Sequence, residues 1–336
     1  MNHEVIDIHS HMLLGVDDGW MFRSGLLQPL PKGGALLNLK GLALHASEDL
    51  VSLDKQKEVL ADSQVTRRII SSVEAIHLLS TFAGRQTLEI AKWVNDAVAE
   101  AVADGAGSLA GMASVNPFEA SHVAELERAV TELKLTGVCV PTSWDRLYLD
   151  SGLADPFYEC AEDMNLPIFI HPPLVPLGYE EMQQYRLAEV CGRVFDTTFS
   201  VTRMIYAGVF DRYPGLKVIV PHMGAGLMSV MGRLDMGYRL GYEGVPAYDR
   251  ARCKLKPSEY LKNLYVDTMG FWPSMIEQLI AVMGSDHILF GSDYPAVPFS
   301  PDEHIAIIRA LGLEKEEEEA IFFRNAVRLF QLDAGI

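Results

Sequence analysis

Two histidines separated by one residue end the first apolar stretch of the chain. The stretch runs Val5-Ile-Asp-Ile-His9-Ser-His11, and in an extended strand residues i and i+2 point to the same face. Both imidazoles can therefore reach one metal ion. A single pair is weak support for a metal site, because a histidine near a strand end is more often just a polar loop residue.

Three later apolar stretches also end in a residue that can bind a metal or move a proton. They place His171 after residues 167–170, His222 after 216–220 and Asp293 after 287–290. Imidazoles and a carboxylate supply the nitrogen and oxygen donors that suit a divalent ion, with zinc as the first expectation and manganese as the alternative. Zinc held in this way lowers the pKa of a bound water to about 7. The residue types alone leave open which histidines bind and which one carries protons.

The other six histidines stand on predicted helices, in the segment after the first strand or at strand starts. We expect them to be structural or surface residues, and they are His3, His45, His77, His122, His287 and His304.

Eight stretches of strand character alternate with segments of helical spacing. The strands are expected at 5–11, 65–72, 109–115, 137–140, 167–170, 216–220, 264–268 and 287–290. Helices are expected at Leu88–Ala103, Glu119–Leu133 and Asp155–Asn165, and residues 180–213 look mainly helical. The stretch 65–72 differs from the other seven in containing two adjacent arginines, Arg67 and Arg68.

Apolar strands joined by helices indicate parallel pairing with both faces of the sheet covered. Eight of them predict an α/β fold, a (β/α)8 TIM-like barrel of the metal-dependent hydrolase type, rather than an open sheet, since no Gly-x-Gly-x-x-Gly turn follows a strand. Barrel enzymes carry their working residues at the carboxyl ends of the strands. That is where His9, His11, His171, His222 and Asp293 fall.

The segment after the first strand combines many glycines and prolines with large apolar residues. Its glycine and proline density from residue 12 to about 40 opposes regular structure, whereas Trp20, Met21, Phe22 and Leu26 are too apolar for a plain loop. We expect a lid over the end of the first strand, with a disordered insertion as the alternative. The predicted organisation is one domain over 1–336, with the lid inserted at about 12–60.

Charge and cysteine content exclude several classes of partner. The 28 basic and 45 acidic residues give a net charge of −17, which argues against nucleic acid and anionic membranes as partners. The four cysteines show no Cys-x-x-Cys spacing, so a reduced cytoplasm is the expected location. No apolar stretch approaches the roughly 18 residues of a membrane span, and a strand that begins at Val5 leaves no room for a signal peptide.

The four strand-end motifs resemble those of the amidohydrolase superfamily, and they are closest to the branch of the carboxymuconate-semialdehyde and aromatic-acid decarboxylases. The motifs are Asp7-Ile-His9-Ser-His11, Phe169-Ile-His171-Pro, Val220-Pro-His222-Met-Gly and Gly291-Ser-Asp293-Tyr-Pro295. Residues 208–217 and Asn325-Ala326 also resemble that branch. The resemblance covers about Val5 to Leu332 and is poor in the lid and at 180–198.

This resemblance implies a role for each residue of the set. His9, His11, His171 and Asp293 would bind one metal ion, while His222 would stay outside the ligand set and handle protons, with Asp293 also counted as catalytic. Relatives with two metals carry a bridging lysine at the end of the fourth barrel strand, where this chain reads Val138-Cys-Val-Pro141, so one metal is expected. Asp7 is expected either to orient a neighbouring side chain or to bind backbone amides.

The resemblance also implies an activity. We expect a metal-dependent carboxy-lyase acting on an aromatic or muconate-type carboxylic acid in aromatic-compound catabolism, with a hydrolase or hydratase of a ring-cleavage product or lactone as the alternative. Arginine binds carboxylates in a bidentate manner, and the candidates are Arg23, Arg186, Arg203 and Arg239. A non-enzymatic interpretation, a scaffold protein with a structural zinc, is disfavoured because structural zinc sites favour cysteine ligands and this set contains none.

The assembly is expected to be a homodimer or homotetramer, as is common in the branch. The lid and the segment Met223–Tyr242 are the candidate interfaces, since Met228, Met231 and Met236 stand at helical spacing. A methionine stripe is nevertheless more often core than contact.

Overall fold

The first strand of the chain lies beside both the second and the last strand of one sheet, so the sheet closes into a barrel. The computed structural model describes residues 4–13, 27–31, 34–39, 42–72, 76, 86–240, 244, 246–297 and 299–333. In chain order its strands are β1 Ile6–His11, β2 Leu27–Pro29, β3 Ala35–Leu39, β4 Leu42–Ala46, β5 Arg67–Ser71, β6 Leu109–Ser114, β7 Gly137–Pro141, β8 Ser143–Trp144, β9 Leu147–Tyr148, β10 Pro167–His171, β11 Lys217–Val220, β12 Leu264–Asp267 and β13 Ile288–Leu289.

Eight of these strands form the barrel in the order β1, β5, β6, β7, β10, β11, β12, β13, and every neighbouring pair is parallel. The ring is closed by residues on either side of the seam. Ile8 N donates to Phe290 O at 3.0 Å, His11 N donates to Tyr294 O at 2.8 Å, and Ser10 bridges Tyr294 in parallel. The predicted (β/α)8 barrel is confirmed.

Helices connect the strands on the outside. They are α1 Glu48–Val51, α2 Leu53–Ala61, α3 Thr87–Asp104, α4 Val123–Thr131, α5 Asp155–Asp163, α6 Arg193–Tyr206, α7 Val209–Arg212, α8 Leu227–Leu240, α9 Pro273–Met283, α10 Pro301–Arg309, α11 Lys315–Glu319 and α12 Asn325–Phe330. The three expected helices at 88–103, 119–133 and 155–165 are therefore confirmed within a few residues. The segment 180–213 is helical in pieces, because Tyr185 and Arg186 adopt positive φ angles of 58° and 57° and break it.

The apolar residues separate into two buried clusters. The larger cluster packs the outer face of the strands against the helices. The smaller one fills the barrel and is closed at its amino-terminal end by α12, whose Leu329 and Phe330 contact it; its strand residues are Ile6, Ile8, Ile69, Ala110, Met112, Cys139, Phe169, Ile219 and Leu289. A filled barrel leaves only the carboxyl ends of the strands for chemistry.

An irregularity in β1 decides which of its side chains face inward. Asp7 pairs with Arg68 and Ser10 pairs with Ile70, so β1 has two residues between these pairs where β5 has one. An extra residue of this kind re-aims the side chains that follow it. Ile8 therefore belongs to the interior cluster while the next residue, His9, also faces the barrel opening.

The presence of arginine in the second barrel strand has a structural explanation. Arg68 is completely buried on the outer side of β5. Its Nη1 donates to Gln56 Oε1 at 2.8 Å, and its guanidinium lies 4.1 Å from the centre of the Tyr294 ring. A guanidinium with an amide acceptor and an aromatic face can be buried in a strand position.

The described part of the predicted lid is more regular than its glycine and proline content indicates. β2, β3 and β4 form a three-stranded antiparallel sheet, and α1 and α2 lead from it to β5. The glycine Gly34 explains how the chain turns there, because it has a φ of 72° and its Cα faces the Ala46 carbonyl oxygen so closely that a Cβ would be 2.5 Å from it. The expected apolar contacts of Trp20, Met21, Phe22 and Leu26 lie outside the described residues.

Among the described helices, none has both the length and the apolar character that crossing a bilayer requires.

Candidate metal centre

Four side chains from three strand ends converge at the open end of the barrel. One ligand atom from each of His9, His11, His171 and Asp293 lies within 4.8 Å of every other one. All four residues are buried. The first two come from β1, the third ends β10, and the fourth follows β13 by four residues.

The ligand atoms are spaced as they would be around a cation. His9 Nε2 is 3.1 Å from His11 Nε2, and Asp293 Oδ1 is 3.3 Å from the first and 3.1 Å from the second. Three imidazoles and a carboxylate are suitable donors for zinc or manganese. Lone pairs brought this close in a buried site repel one another unless a cation or a proton lies between them, so the residues fit a divalent ion.

The orientation of His9 is fixed from behind by a residue that the sequence analysis did not single out. Asp267, at the end of β12, accepts a hydrogen bond from His9 Nδ1 at 2.6 Å. A carboxylate can only accept, so a proton sits on Nδ1, and Nε2 is the ring nitrogen that faces the cluster and can bind a metal. Asp267 could have been found by the signal that found Asp293, because it too stands at the carboxyl end of an apolar stretch.

His11 is held in the same manner by a hydroxyl. Its Nδ1 lies 3.0 Å from Ser71 Oγ, at the end of the neighbouring strand β5. Nothing in the sequence around this serine distinguishes it from other strand-end serines. The imidazole of His171 packs edge-on against His11, with ring centres 4.6 Å apart.

The electrostatics of the cluster favour positive charge. Burial by itself would lower the pKa of His9, but the charge of Asp293 and the hydrogen bond to Asp267 raise it to about 10. Burial by itself would raise the pKa of Asp293, yet the charge of His9 and the hydrogen bonds from the imidazoles hold it well below its usual range. A cation at the centre would take over the charge that the proton on His9 supplies.

His222 lies at the edge of this cluster and outside the group of four. Its Nε2 is 3.6 Å from Asp293 Oδ2, the oxygen opposite the one that faces His9 and His11. Its side chain is 12% exposed, so it borders the barrel opening. Its Nδ1 is buried and has no hydrogen-bond partner among the described residues. His222 follows β11 in an irregular turn with φ 59° and ψ 51°.

Asp7 faces away from the cluster, on the other side of β1. It accepts hydrogen bonds from the backbone amides of His9, at 3.2 Å, and Ser292, at 3.0 Å. Its Oδ2 also accepts a hydrogen bond from the Ser292 hydroxyl at 2.5 Å, so Asp7 combines the backbone partners of one expected role with the oriented neighbouring side chain of the other. Its effect is to hold the turn that carries Asp293.

The arginine candidates are less informative than the cluster. Arg186 is exposed and pairs with Glu189, and Arg203 pairs with Asp150 at 2.7 Å. Arg239 is exposed on α8, and Arg23 lies outside the described residues.

The methionines of α8 do not share one environment, since Met231 is buried and Met236 is 47% exposed. Of the six histidines assigned structural or surface roles, His122 and His304 are fully buried.

Two relatives are similar to this chain over much of its length. A 2-amino-3-carboxymuconate-6-semialdehyde decarboxylase of Dictyostelium discoideum is 29% identical over 213 residues, which cover 63% of this chain and 58% of that protein. This match therefore spans somewhat more than half the length of that relative. A gamma-resorcylate decarboxylase of Polaromonas sp. is 29% identical over 300 residues, which cover 84% of this chain and 89% of that protein.

A solved structure shares the fold. The dihydroxybenzoic acid decarboxylase of Polaromonas sp., with bound manganese and the inhibitor 2-nitroresorcinol, superposes with a TM-score of 0.78 at 24% identity and covers 99% of this chain and 98% of that one. The profile of the family Amidohydro_2, described as amidohydrolase, matches residues 72–332. Since this match covers more than half of the chain and includes the ends of β10, β11 and β13, the protein belongs to this amidohydrolase family.

Proposed function

We propose that this protein is a metal-dependent carboxy-lyase that removes carbon dioxide from an aromatic or muconate-type carboxylic acid in aromatic-compound catabolism. The observation that carries the proposal is that the ionisable side chains at the barrel opening separate into a buried group and one neighbouring histidine. Four ligand atoms form one buried group, and a fifth ionisable side chain, His222, faces that group without belonging to it. The two relatives are named as decarboxylases, which supports the same proposal.

The proposed cofactor is one divalent ion held by His9, His11, His171 and Asp293. When bound, the ion polarises the oxygens of a carboxylate or phenol substrate as a Lewis acid. The donor set favours zinc, with manganese as the alternative that the solved Polaromonas structure supports. Metal analysis of the purified protein, followed by activity after loading with each ion, distinguishes the two.

The chemistry asked of the chain itself is a proton transfer. When the bond from the substrate ring or chain to its carboxylate breaks, carbon dioxide leaves and the bonding electron pair stays on carbon, which must then receive a proton. His222 Nε2 is the proton donor proposed for this step, since it borders the barrel opening. It lies 3.6 Å from Asp293 Oδ2, which orients the His222 imidazole. The proton is later replaced from solvent, which reaches this side chain.

A direct test is mass spectrometry of the products formed by metal-loaded protein from a panel of carboxymuconate semialdehydes, hydroxybenzoates, lactones and ring-cleavage products. A loss of 44 mass units, the mass of carbon dioxide, from one acid, absent from protein with His222→Asn, is the expected result. Addition of water, with or without fragmentation, would instead support the hydratase or hydrolase alternative and overturn the carboxy-lyase proposal.

We also infer that the protein acts as a homodimer or homotetramer in the cytoplasm. No disulfide joins the four cysteines, all of which lie in the described part of the chain, as a reducing compartment requires. The helix α6 presents Phe195 and Phe199, which are 56% and 38% exposed and stand one turn apart. Light scattering of the wild type and of a Phe195→Asp, Phe199→Asp variant tests the assembly, which the variant should dissociate.

A further inference from the structure

Asp267 uses both of its carboxylate oxygens on groups that belong to the candidate site. It is fully buried at the end of β12. Its Oδ2 accepts from His9 Nδ1 at 2.6 Å, while its Oδ1 accepts from the backbone amides of Met223 at 3.0 Å and Met269 at 3.2 Å. One side chain therefore connects β1, β12 and the turn after β11.

On the His9 side, this contact decides which nitrogen can bind a metal. With a proton held on Nδ1, Nε2 is the ring nitrogen left to bind a metal, and it faces His11 Nε2 and Asp293 Oδ1. A histidine that binds a metal through one ring nitrogen commonly donates its other N–H to a carboxylate, which fixes the tautomer and the ring plane. Without that acceptor, the proton can move to Nε2 and the ligand is lost.

On the other side, the contact holds the backbone that places His222. Both His222 and Met223 have left-handed dihedrals, with φ values of 59° and 55°. Non-glycine residues adopt this region at an energetic cost, and they persist there only when the surroundings hold them. The amide that Asp267 accepts from is that of Met223, the residue immediately after His222.

The same strand end also supports the turn that carries Asp293. Thr268 Oγ1 accepts a hydrogen bond from Gly291 N at 3.3 Å and lies 3.0 Å from His304 Nε2. Asp267 and Thr268, at the carboxyl end of β12, thus contact His9, the residue after His222 and the turn that carries Asp293.

We propose that Asp267 is a positioning residue that sets two properties of the site through one carboxylate: the metal-binding tautomer of His9 and the left-handed turn that aims His222. Its role toward His222 rests on the proposed function, whereas its role toward His9 requires only that the site binds a metal. The two roles can therefore be measured separately.

The test is Asp267→Asn, which keeps the shape of the side chain but replaces one acceptor oxygen with a donor. Whichever way the amide turns, a donor then faces either His9 Nδ1 or the two backbone amides. We expect the affinity for zinc and for manganese, measured by competition with a chelator in the absence of substrate, to fall by about 10- to 100-fold.

Asp211→Asn is the matched control, because Asp211 accepts hydrogen bonds from Tyr260 Oη at 2.7 Å and from Lys254 N at 2.8 Å at the other end of the barrel. The control should keep the metal affinity of the wild type.

The effect on His222 is read from kcat at saturating metal. Asp267→Asn should lower kcat and shift its pH profile while KM changes little, and the same substitution in a His222→Asn background should lower kcat no further. Equal losses in both backgrounds would overturn the role toward His222. A metal affinity within twofold of the wild type in both Asp267→Asn and Asp267→Ala, which offers His9 Nδ1 no acceptor in any orientation, would overturn the role toward His9, whether or not any acid is decarboxylated.

A measurement on the unaltered chain covers the case in which the variant does not fold. In zinc-loaded protein labelled with [15N]histidine, NMR should show a proton on His9 Nδ1 with a strongly downfield shift, as a short bond to a carboxylate produces. A His9 ring without that proton would contradict the proposal.

Discussion

Gly291 lies so close to His9 that no side chain fits between them. A Cβ built on this glycine would be 2.8 Å from the Cβ of His9 and 2.9 Å from that of Asp267. The turn that carries Asp293 can therefore approach β1 only because position 291 has no side chain. The glycine of Gly291-Ser-Asp293 is required by packing rather than by its backbone dihedrals.

This contact predicts the effect of one added methyl group. Gly291→Ala should lower the free energy of unfolding by about 1–3 kcal/mol, as overpacking of a filled interior does, and should weaken metal binding because His9 must move. Urea unfolding and chelator competition measure the two effects. Gly232→Ala in α8 is the control of opposite sign, since nothing lies within 4 Å of a Cβ there, and it should raise stability by about 0.5–1 kcal/mol. Equal effects of the two substitutions would contradict the packing argument.

Replacing His222 tests whether the proposed proton carrier is distinct from the proposed metal ligands. His222→Asn should retain the bound metal and lower kcat by about 10²- to 10⁴-fold, the usual contribution of general acid–base catalysis. Metal content by mass spectrometry and kcat on the identified acid provide the measurements. His287→Asn, at the amino-terminal end of β13, should change neither. Loss of the metal from the His222 variant would show that His222 is itself a ligand.

Removal of the metal should destabilise the whole barrel, because the ligands come from strands on both sides of its seam. If the ion is present at 100 times its Kd, chelation should lower the free energy of unfolding by about 2.7 kcal/mol. Thermal unfolding with chelator, and again after zinc or manganese is restored, tests this expectation. A protein with Asp293→Asn should respond much less to either treatment; an identical response would mean that the ion acts elsewhere.

The buried imidazole of His304 predicts a specific pH dependence of stability. Its Nε2 lies 3.0 Å from Thr268 Oγ1 and its ring packs against Phe271 and Phe290. Burial lowers the pKa of His304 from 6.5 to about 4. Below pH 6.5 the unfolded chain therefore binds a proton that the folded chain does not. This contribution to stability is fully present above pH 6.5 and is lost as the pH falls toward 4, where the loss in unfolding free energy amounts to about 3 kcal/mol.

The measurement is urea unfolding at several pH values between 4.5 and 7.5. His304→Gln cannot take up the proton, so its unfolding free energy should fall less steeply with acid than that of the wild type. Parallel curves for the two proteins would show that His304 does not contribute to the acid sensitivity.

The residues of the cluster were predictable because each one ends a strand or follows one within a few residues. His171 ends an apolar run, and Asp293 follows another after Gly291 and Ser292. In a barrel of parallel strands all such positions lie at the same end, so pattern alone brings them together. The same reasoning applied to Leu264-Tyr-Val-Asp267 would have added Asp267.

The contacts that tune the cluster could not be predicted in this way. The hydrogen bond between His9 and Asp267 joins residues 258 positions apart, and its geometry depends on the irregularity in β1 that turns His9 inward. A period of two residues assigns Ile8 and His9 to opposite faces, whereas the structure places both toward the barrel axis. The small sheet of β2, β3 and β4 was missed because pairing between neighbouring strands outweighs weak local propensity.

The seam between β1 and the residues after β13 has a consequence for how the protein is made. The candidate ligands lie at positions 9, 11, 171 and 293, so the complete set exists only after almost the entire chain has left the ribosome. A nascent chain that has not yet reached Tyr294 also lacks the acceptor for the amide of His11. The first strand, although translated first, must wait with an unpaired edge until the last one arrives, and binding of the proposed ion would then be a late event that marks a finished barrel.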